Sequence, residues 1–281
     1  MTRYAYLGPA GTFTEAALRQ ITSDNDELIP YANVTAALEA VRTGAAAKAL
    51  VPIENSVEGV VARTLDELAT GDPLVISGET TLPVSFALMV LPENADKPIE
   101  RIGTHPHAEA QCRTFVAQKW PDAEIMETPS TAAAAAGLVT RNYDAAIASA
   151  FAAEKYGLTI VANNIGDNEG AVTRFVVVEK PGDMPAPTGN DRTSLAAFID
   201  IDHAGALLEI LTEFANQNVN LTFIQSRPTG RELGHYHFII DAEGHIDDLP
   251  VHNAIENLRK ICDEIRFLGS YPRGPRTARA S

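Results

Sequence analysis

The sequence predicts an α/β protein of two domains, a larger one of alternating strands and helices followed by a compact ferredoxin-like βαββαβ domain. Three observations predict it. Strand-length apolar runs alternate with helix-period segments up to residue 179. A polar stretch carrying Pro181, Gly182, Pro185, Pro187 and Gly189 then interrupts the chain, and it can hold neither a helix nor a central strand. After that linker, set at 180–192, strand and helix patterns recur in β-α-β-β-α-β order through 193–271, ahead of a tail at 272–281.

Taken in order, Tyr4 to Leu7 reads as a strand and Glu15 to Gln20 as a helix. Thr12 and Glu15 have capping-box spacing, and Gly8, Pro9 and Gly11 tighten the loop before them. Val34 to Arg42 is a helix and Ala49 to Ile53 a buried strand; Asn55 or Ser56 then stands where a further helix is expected to start. Phe86 to Leu91 is a strand and Ala108 to Gln118 a helix, preceded by Thr104-His105-Pro106 with proline at a first helical position. Ser130-Thr131 opens the alanine-rich helix Ala132 to Val139, and Ala145 to Ala148 is a short strand. Thr173-Arg174-Phe175 leads into the apolar run Val176 to Val178, so Thr173 and Phe175 share one strand face and Arg174 the other. Beyond the linker, Thr193 to Ile199, Leu221 to Gln225, Tyr236 to Ile240 and Ile265 to Gly269 are strands; Gly205 to Asn216 and Val251 to Cys262 are helices.

Composition narrows the function. The 281 residues are 45% hydrophobic and 21% charged, enough for real cores. A formal net charge of -15 excludes a general nucleic-acid binder and requires any anionic ligand to meet locally placed positive groups. Cys112 and Cys262 have no metal-like spacing and read as packing residues of a reduced, cytoplasmic protein. No signal peptide or transmembrane segment is expected.

Polar helix starts at Thr12, Asn55-Ser56, His105-Pro106 and Ser130-Thr131 offer free amides to an anion, though caps are also the default at helix starts. His105 and His107 lack the further ligands that a metal site needs. His235 and His237 on one strand face read as sheet packing or ligand contacts, and Arg273, Arg276 and Arg279 as a solvated tail. Thr173-Arg174-Phe175 alone also describes a strand edge with an exposed arginine.

Together the segments 8–15, 51–59, 104–106, 130–134, 145–149 and 173–175 resemble prephenate dehydratase in order and spacing, and Gly205-Ala206-Leu207 with Ser226-Arg227-Pro228 resembles an ACT regulatory domain. The resemblance implies two lobes like a periplasmic-binding-protein fold, about 1–77 plus 160–179 and about 78–159, with the active site between them. It implies decarboxylating dehydration of prephenate to phenylpyruvate in L-phenylalanine biosynthesis, without a metal or redox cofactor. It also implies a monofunctional homodimer or homotetramer, inhibited by phenylalanine.

Under that resemblance, Thr173 is the essential residue and donates to the leaving hydroxyl; Arg174 grips a carboxylate; Phe175 walls the ring or buttresses the strand. Thr12, Asn55, Ser56, Thr104 and Ser149 position substrate, and Glu54 holds the network or donates a proton. Gly205, Ala206, Leu207, Gln225, Ser226, Arg227 and Pro228 form the phenylalanine site. Gln225 replaces the usual acidic residue of that motif, and Ala204 a usual proline, which weakens recognition of an amino group by charge. Arogenate dehydratase and a non-catalytic amino-acid sensor are the alternative readings.

Overall fold

A computed structural model describes residues 1–140, 142–199, 203–229 and 236–274. The first lobe is built from β1 (Arg3–Leu7), α1 (Phe13–Arg19), β2 (Glu27–Tyr31), α2 (Val34–Thr43), β3 (Lys48–Asn55), β4 (Gly59–Val60), α3 (Ala62–Thr70) and β5 (Val75–Pro83). The second holds β6 (Ala87–Val90), β7 (Arg101–Thr104), α4 (Pro106–Lys119), β8 (Glu124–Glu127), α5 (Thr131–Val139), β9 (Ala145–Ala148), α6 (Ala150–Tyr156) and β10 (Thr159–Ala162). The chain then returns as β11 (Val172–Glu179) between β3 and β5, giving sheet orders β2-β1-β3-β11-β5 and β10-β6-β9-β7-β8.

The crossing falls after Pro83 rather than near 77, because β5 pairs with β11 as far as Pro83. The return likewise falls after β10, which still pairs with β6 at 159–162. No helix starts at Asn55 or Ser56. The Asn55 side chain accepts from the amides of Val57 and Glu58, which closes a turn into β4.

The C-terminal domain follows as β12 (Asp191–Ile199), α7 (Ala206–Asn216), β13 (Leu221–Pro228), β14 (Tyr236–Glu243), α8 (Leu249–Ile261) and β15 (Glu264–Pro272), in sheet order β13-β14-β12-β15. That antiparallel order is ferredoxin-like, as expected. His235, Arg276 and Arg279 lie outside the described residues.

The first sheet is buried on both faces. Phe175 and Val177 pack with Tyr6, Leu18 and Leu50 on the α1 side. Val176 and Val178 face the other way, into a core formed by Leu38, Leu65 and Leu68 together with Ile239, Leu268 and Tyr271 of the C-terminal domain. Each fully buried large apolar side chain contributes roughly 1.5–3 kcal/mol, so three of them fix the C-terminal domain to the first lobe firmly. The approach is close enough to need Gly269: a Cβ there would lie 2.1 Å from the Ile76 carbonyl oxygen.

Candidate active site

At its carboxyl end strand β1 leads into α1, and in the second lobe β7, β8 and β9 lead into α4, α5 and α6, whereas β3 ends in the Asn55 turn. Those ends face a common cleft, as ligand sites in open α/β sheets do. The cleft measures about 240 Å³ and is lined by Asn55 and Thr173 from the first sheet, by Phe13, Val84 and Phe86, and by the starts of α4 and α5 at His105, His107, Ala108, Ser130 and Thr131.

Thr173 and Asn55 are cross-strand partners at the ends of β11 and β3. Asn55 Nδ2 donates to Thr173 Oγ1 at 2.8 Å. The amide orientation is fixed from the other side, because Oδ1 is held by the Val57 and Glu58 N–H groups. Thr173 therefore accepts from Asn55 and keeps its own proton to donate. Its residue is only 8% exposed, so that donor acts in a largely dehydrated corner.

The helix starts supply the positive potential that the composition lacks. Ser130 caps Ala133 N, leaving the Thr131 and Ala132 amides at the first turn of α5 without intrahelical partners. At α4, His105 Nδ1 accepts from His107 N, so the ring carries its proton on Nε2. Burial, reinforced by His107, lowers the His105 pKa below the ordinary value and keeps the ring neutral near pH 7.

Two sets of contacts close the lobes over the cleft. On one side Glu58 reaches α4, with Oε1 accepting from Gln111 at 2.9 Å and Oε2 3.2 Å from His107 Nδ1. On the other, Lys155 Nζ meets Glu15 Oε1 at 2.9 Å, and Tyr156 donates to the Ala10 carbonyl at 2.7 Å. Glu15 also accepts from the Gly11 amide and from Arg19. Burial pushes its carboxyl up, but Gly11, Arg19 and Lys155 together pull it below the ordinary value. Its contribution to stability is thus fully present above the unfolded value of about 4.3 and is lost as pH falls through the lower folded value. Glu15→Gln is expected to lower unfolding stability by about 2 kcal/mol at pH 7, with the deficit shrinking toward pH 3; urea titration at both pH values checks it.

Other expected site residues have internal partners. Thr12 caps Glu15 N and donates to the Leu7 carbonyl. Ser56 Oγ accepts from Val172 N, and Ser149 caps Ala152 N and donates to the Gly11 carbonyl. Thr104 is fully buried, donates to the Ile147 carbonyl, and does not reach the cleft. Phe175 packs in the α1 core behind the strand, which makes it a buttress rather than a wall; Phe13 and Phe86, edge to face at 5.7 Å, form the wall instead. No local pattern marks those two phenylalanines, because only the lobe arrangement brings them together.

Arg174 requires a correction. The alternation of β11 points it away from Thr173, and its guanidinium meets Glu79 at 2.8 Å, Asp241 at 2.7 Å, Tyr271 Oη at 3.1 Å and Glu54 at 3.3 Å. Burial alone would lower its pKa; Asp241 foremost, with Tyr271 and Glu79, raises it well above the ordinary value. It is thus a charged staple to the C-terminal domain, not a grip on a carboxylate in the cleft. Glu54 is spent on that staple.

In the C-terminal domain, Ile199 of β12 and Pro228 of β13 both flank Tyr236, so Gly205-Ala206-Leu207 and Gln225 to Pro228 lie toward one end of the sheet. Gln225 donates to the Ser226 carbonyl, and Arg227 holds Asp66 of α3 with two hydrogen bonds of 2.8 and 2.7 Å. No helix among the described residues is long and apolar enough to cross a membrane.

Residues 4–183 match the family described as prephenate dehydratase, and 199–260 match the ACT domain. A prephenate dehydratase of Mycobacterium sp. (strain JLS) is 45% identical over 285 residues, covering 98% of this chain and 90% of its own. The crystal structure of a prephenate dehydratase from Arthrobacter aurescens in complex with L-Phe is 49% identical, with a TM-score of 0.90 over 96% of this chain and 90% of that one. A structure described as GqqA, a novel type of quorum quenching acylase, is 30% identical, with a TM-score of 0.84 over 97% of this chain and 98% of its own.

Proposed function

The chain belongs to the prephenate dehydratase family, and on that footing we propose that its cleft converts prephenate to phenylpyruvate, carbon dioxide and water. The enzyme is a carbon–oxygen lyase. In the reaction the ring carboxylate leaves as carbon dioxide, its bonding pair enters the ring, and the ring hydroxyl departs with one added proton. Aromatisation supplies the driving force. What remains for the protein is to hold a dianion and to ease the hydroxide out.

The observation that carries this reading is the Asn55–Thr173 hydrogen bond. A hydroxyl whose oxygen already accepts presents its proton outward, as a donor to a leaving hydroxyl must. The α5 amides suit one carboxylate, and the His105 Nε2 proton a second polar group. Phe13, Val84 and Phe86 suit the ring. An acyl-transfer reading, suggested by the acylase among similar structures, needs a base to take the threonine proton. Asn55 donates instead, which favours the dehydratase.

The C-terminal domain makes this an enzyme inhibited by phenylalanine in our reading, supported by the L-Phe complex of the Arthrobacter aurescens protein. A homodimer or homotetramer suits the exposed Leu207 and Leu208 on α7, and light scattering tests it. Incubating the purified protein with prephenate or arogenate at neutral pH, while following phenylpyruvate or phenylalanine, tests the activity. Turnover of prephenate is expected; turnover of neither substrate would leave a binding protein. Adding phenylalanine to the prephenate assay is expected to slow it, and a flat titration would overturn the regulatory half.

A further inference from the structure

We propose that Arg174 is a positioning residue through which the C-terminal domain sets the catalytic threonine, with Asp241 as its anchor. The inference rests on the reading of Thr173 as the leaving-group donor.

The staple is a built cluster. Arg174 and Arg192 share Glu79, whose Oε2 lies 2.8 Å from Arg174 Nε and 3.0 Å from Arg192 Nη1. Asp241 lies 2.7 Å from Arg174 and 3.5 Å from Arg192. Ser194 donates to Asp241 at 2.6 Å and stands 2.7 Å from the Tyr271 hydroxyl, which also meets Arg174. Of these residues, Arg192, Ser194, Asp241 and Tyr271 come from three C-terminal strands, β12, β14 and β15. Arg174 and Glu79 come from adjacent strands of the first lobe.

The cluster is buried, with side-chain exposures of 9% for Arg174, 4% for Glu79 and 1% for Asp241. At such depth a lost partner is not replaced by water, so the charges move together or not at all. The geometry is incompletely satisfied. Asp241 Oδ2 lies close to Arg174 but off a hydrogen-bonding direction, and Arg192 Nε has no hydrogen-bond partner among the described residues. A network with such slack has room for a second arrangement when the C-terminal strands shift.

The shift would be delivered to the cleft by the backbone. Arg174 is the next residue after Thr173, and the β11–β3 register changes immediately beyond it, where Phe175 pairs with Pro52 rather than Ile53. Proline cannot donate to the ladder, so the β3 side of β11 is interrupted beside Arg174, while the β5 side stays paired through Pro83. Side-chain anchoring at Arg174 supplements the ladder where its β3 side is irregular. The end of β11, and with it the direction of the Thr173 hydroxyl, follows the guanidinium.

Asp241→Asn keeps the shape of the anchor and removes its charge. It touches neither the cleft nor the expected phenylalanine site. The expected result is a kcat lowered about tenfold with KM within about twofold, because the threonine is misdirected while the binding surfaces stay intact. Phenylalanine should still bind, read by calorimetry, while its inhibition of the remaining activity falls at least threefold. Tyr271→Phe, which removes one hydroxyl only, should show the same pattern more weakly and serves if Asp241→Asn does not fold. Asp66→Asn is the control: it loosens the same domain contact through Arg227 without touching Arg174, and basal kcat should stay at the wild-type level. Equal losses of kcat in Asp66→Asn and Asp241→Asn would overturn the proposal, as would unchanged kcat in both Asp241→Asn and Tyr271→Phe. Absence of wild-type turnover would instead remove the dehydratase reading, and absence of wild-type inhibition the regulatory one.

Discussion

Replacing Thr173 by alanine is expected to lower kcat by about 100- to 1,000-fold while KM stays within about threefold. The hydroxyl has its oxygen occupied by Asn55 Nδ2 and its proton directed outward, so its largest interaction is with charge that develops on the departing oxygen. An interaction made mainly in the transition state lowers kcat and kcat/KM together when it is removed. The loss corresponds to about 3–4 kcal/mol, the scale of one lost donor in a dehydrated site. Thr173→Ser keeps the O–H and should retain activity within about tenfold of wild type. Steady-state kinetics on prephenate, with circular dichroism to confirm folding, checks both variants. Equal kcat in the alanine variant would take Thr173 out of the reaction.

The elements that carry this pair were legible in the sequence for local reasons. Thr173 precedes three valines, and Asn55 follows a buried strand and precedes Glu58-Gly59, so both stand at strand ends. Period-two alternation also assigns Arg174 correctly to the face opposite Thr173. Its destination was not legible, because nothing near residue 174 records that a second domain covers that face. The same blindness gave Arg174 to the substrate and left Phe175 open between cleft wall and strand buttress, of which the α1-side core selects the buttress. The expected helix at Asn55 failed for a different reason: asparagine and serine cap helices and close turns through the same side-chain hydrogen bonds, and Gly59 at φ 83° tips the choice to a turn. Strand β5 escaped notice because Ser77-Gly78-Glu79-Thr80-Thr81 is polar. Its burial comes from β11 on one side and from the C-terminal domain, through Gly269, over its face.

Arg174→Ala is therefore expected to act first on stability. It leaves Glu79 and Asp241 facing each other across a buried gap, with only Arg192 between them. Breaking a buried ion pair from one side costs about 3–5 kcal/mol, because the orphaned charge is not resolvated. Tyr271 also loses the charged donor at its hydroxyl, in the core shared by the two domains. Lysine in place of arginine keeps the charge but presents one ammonium where the guanidinium reaches Glu79 through Nε, Asp241 through Nη1 and Tyr271 through Nη2. Arg174→Lys should thus fall between wild type and alanine. Urea unfolding followed by far-ultraviolet circular dichroism measures the series. Because the staple joins two domains, the alanine variant should also broaden the transition, as the C-terminal domain releases before the lobes. A substrate-gripping arginine predicts the opposite signature. Unfolding would stay at the wild-type midpoint and KM for prephenate would rise, and that result would return the guanidinium to the cleft.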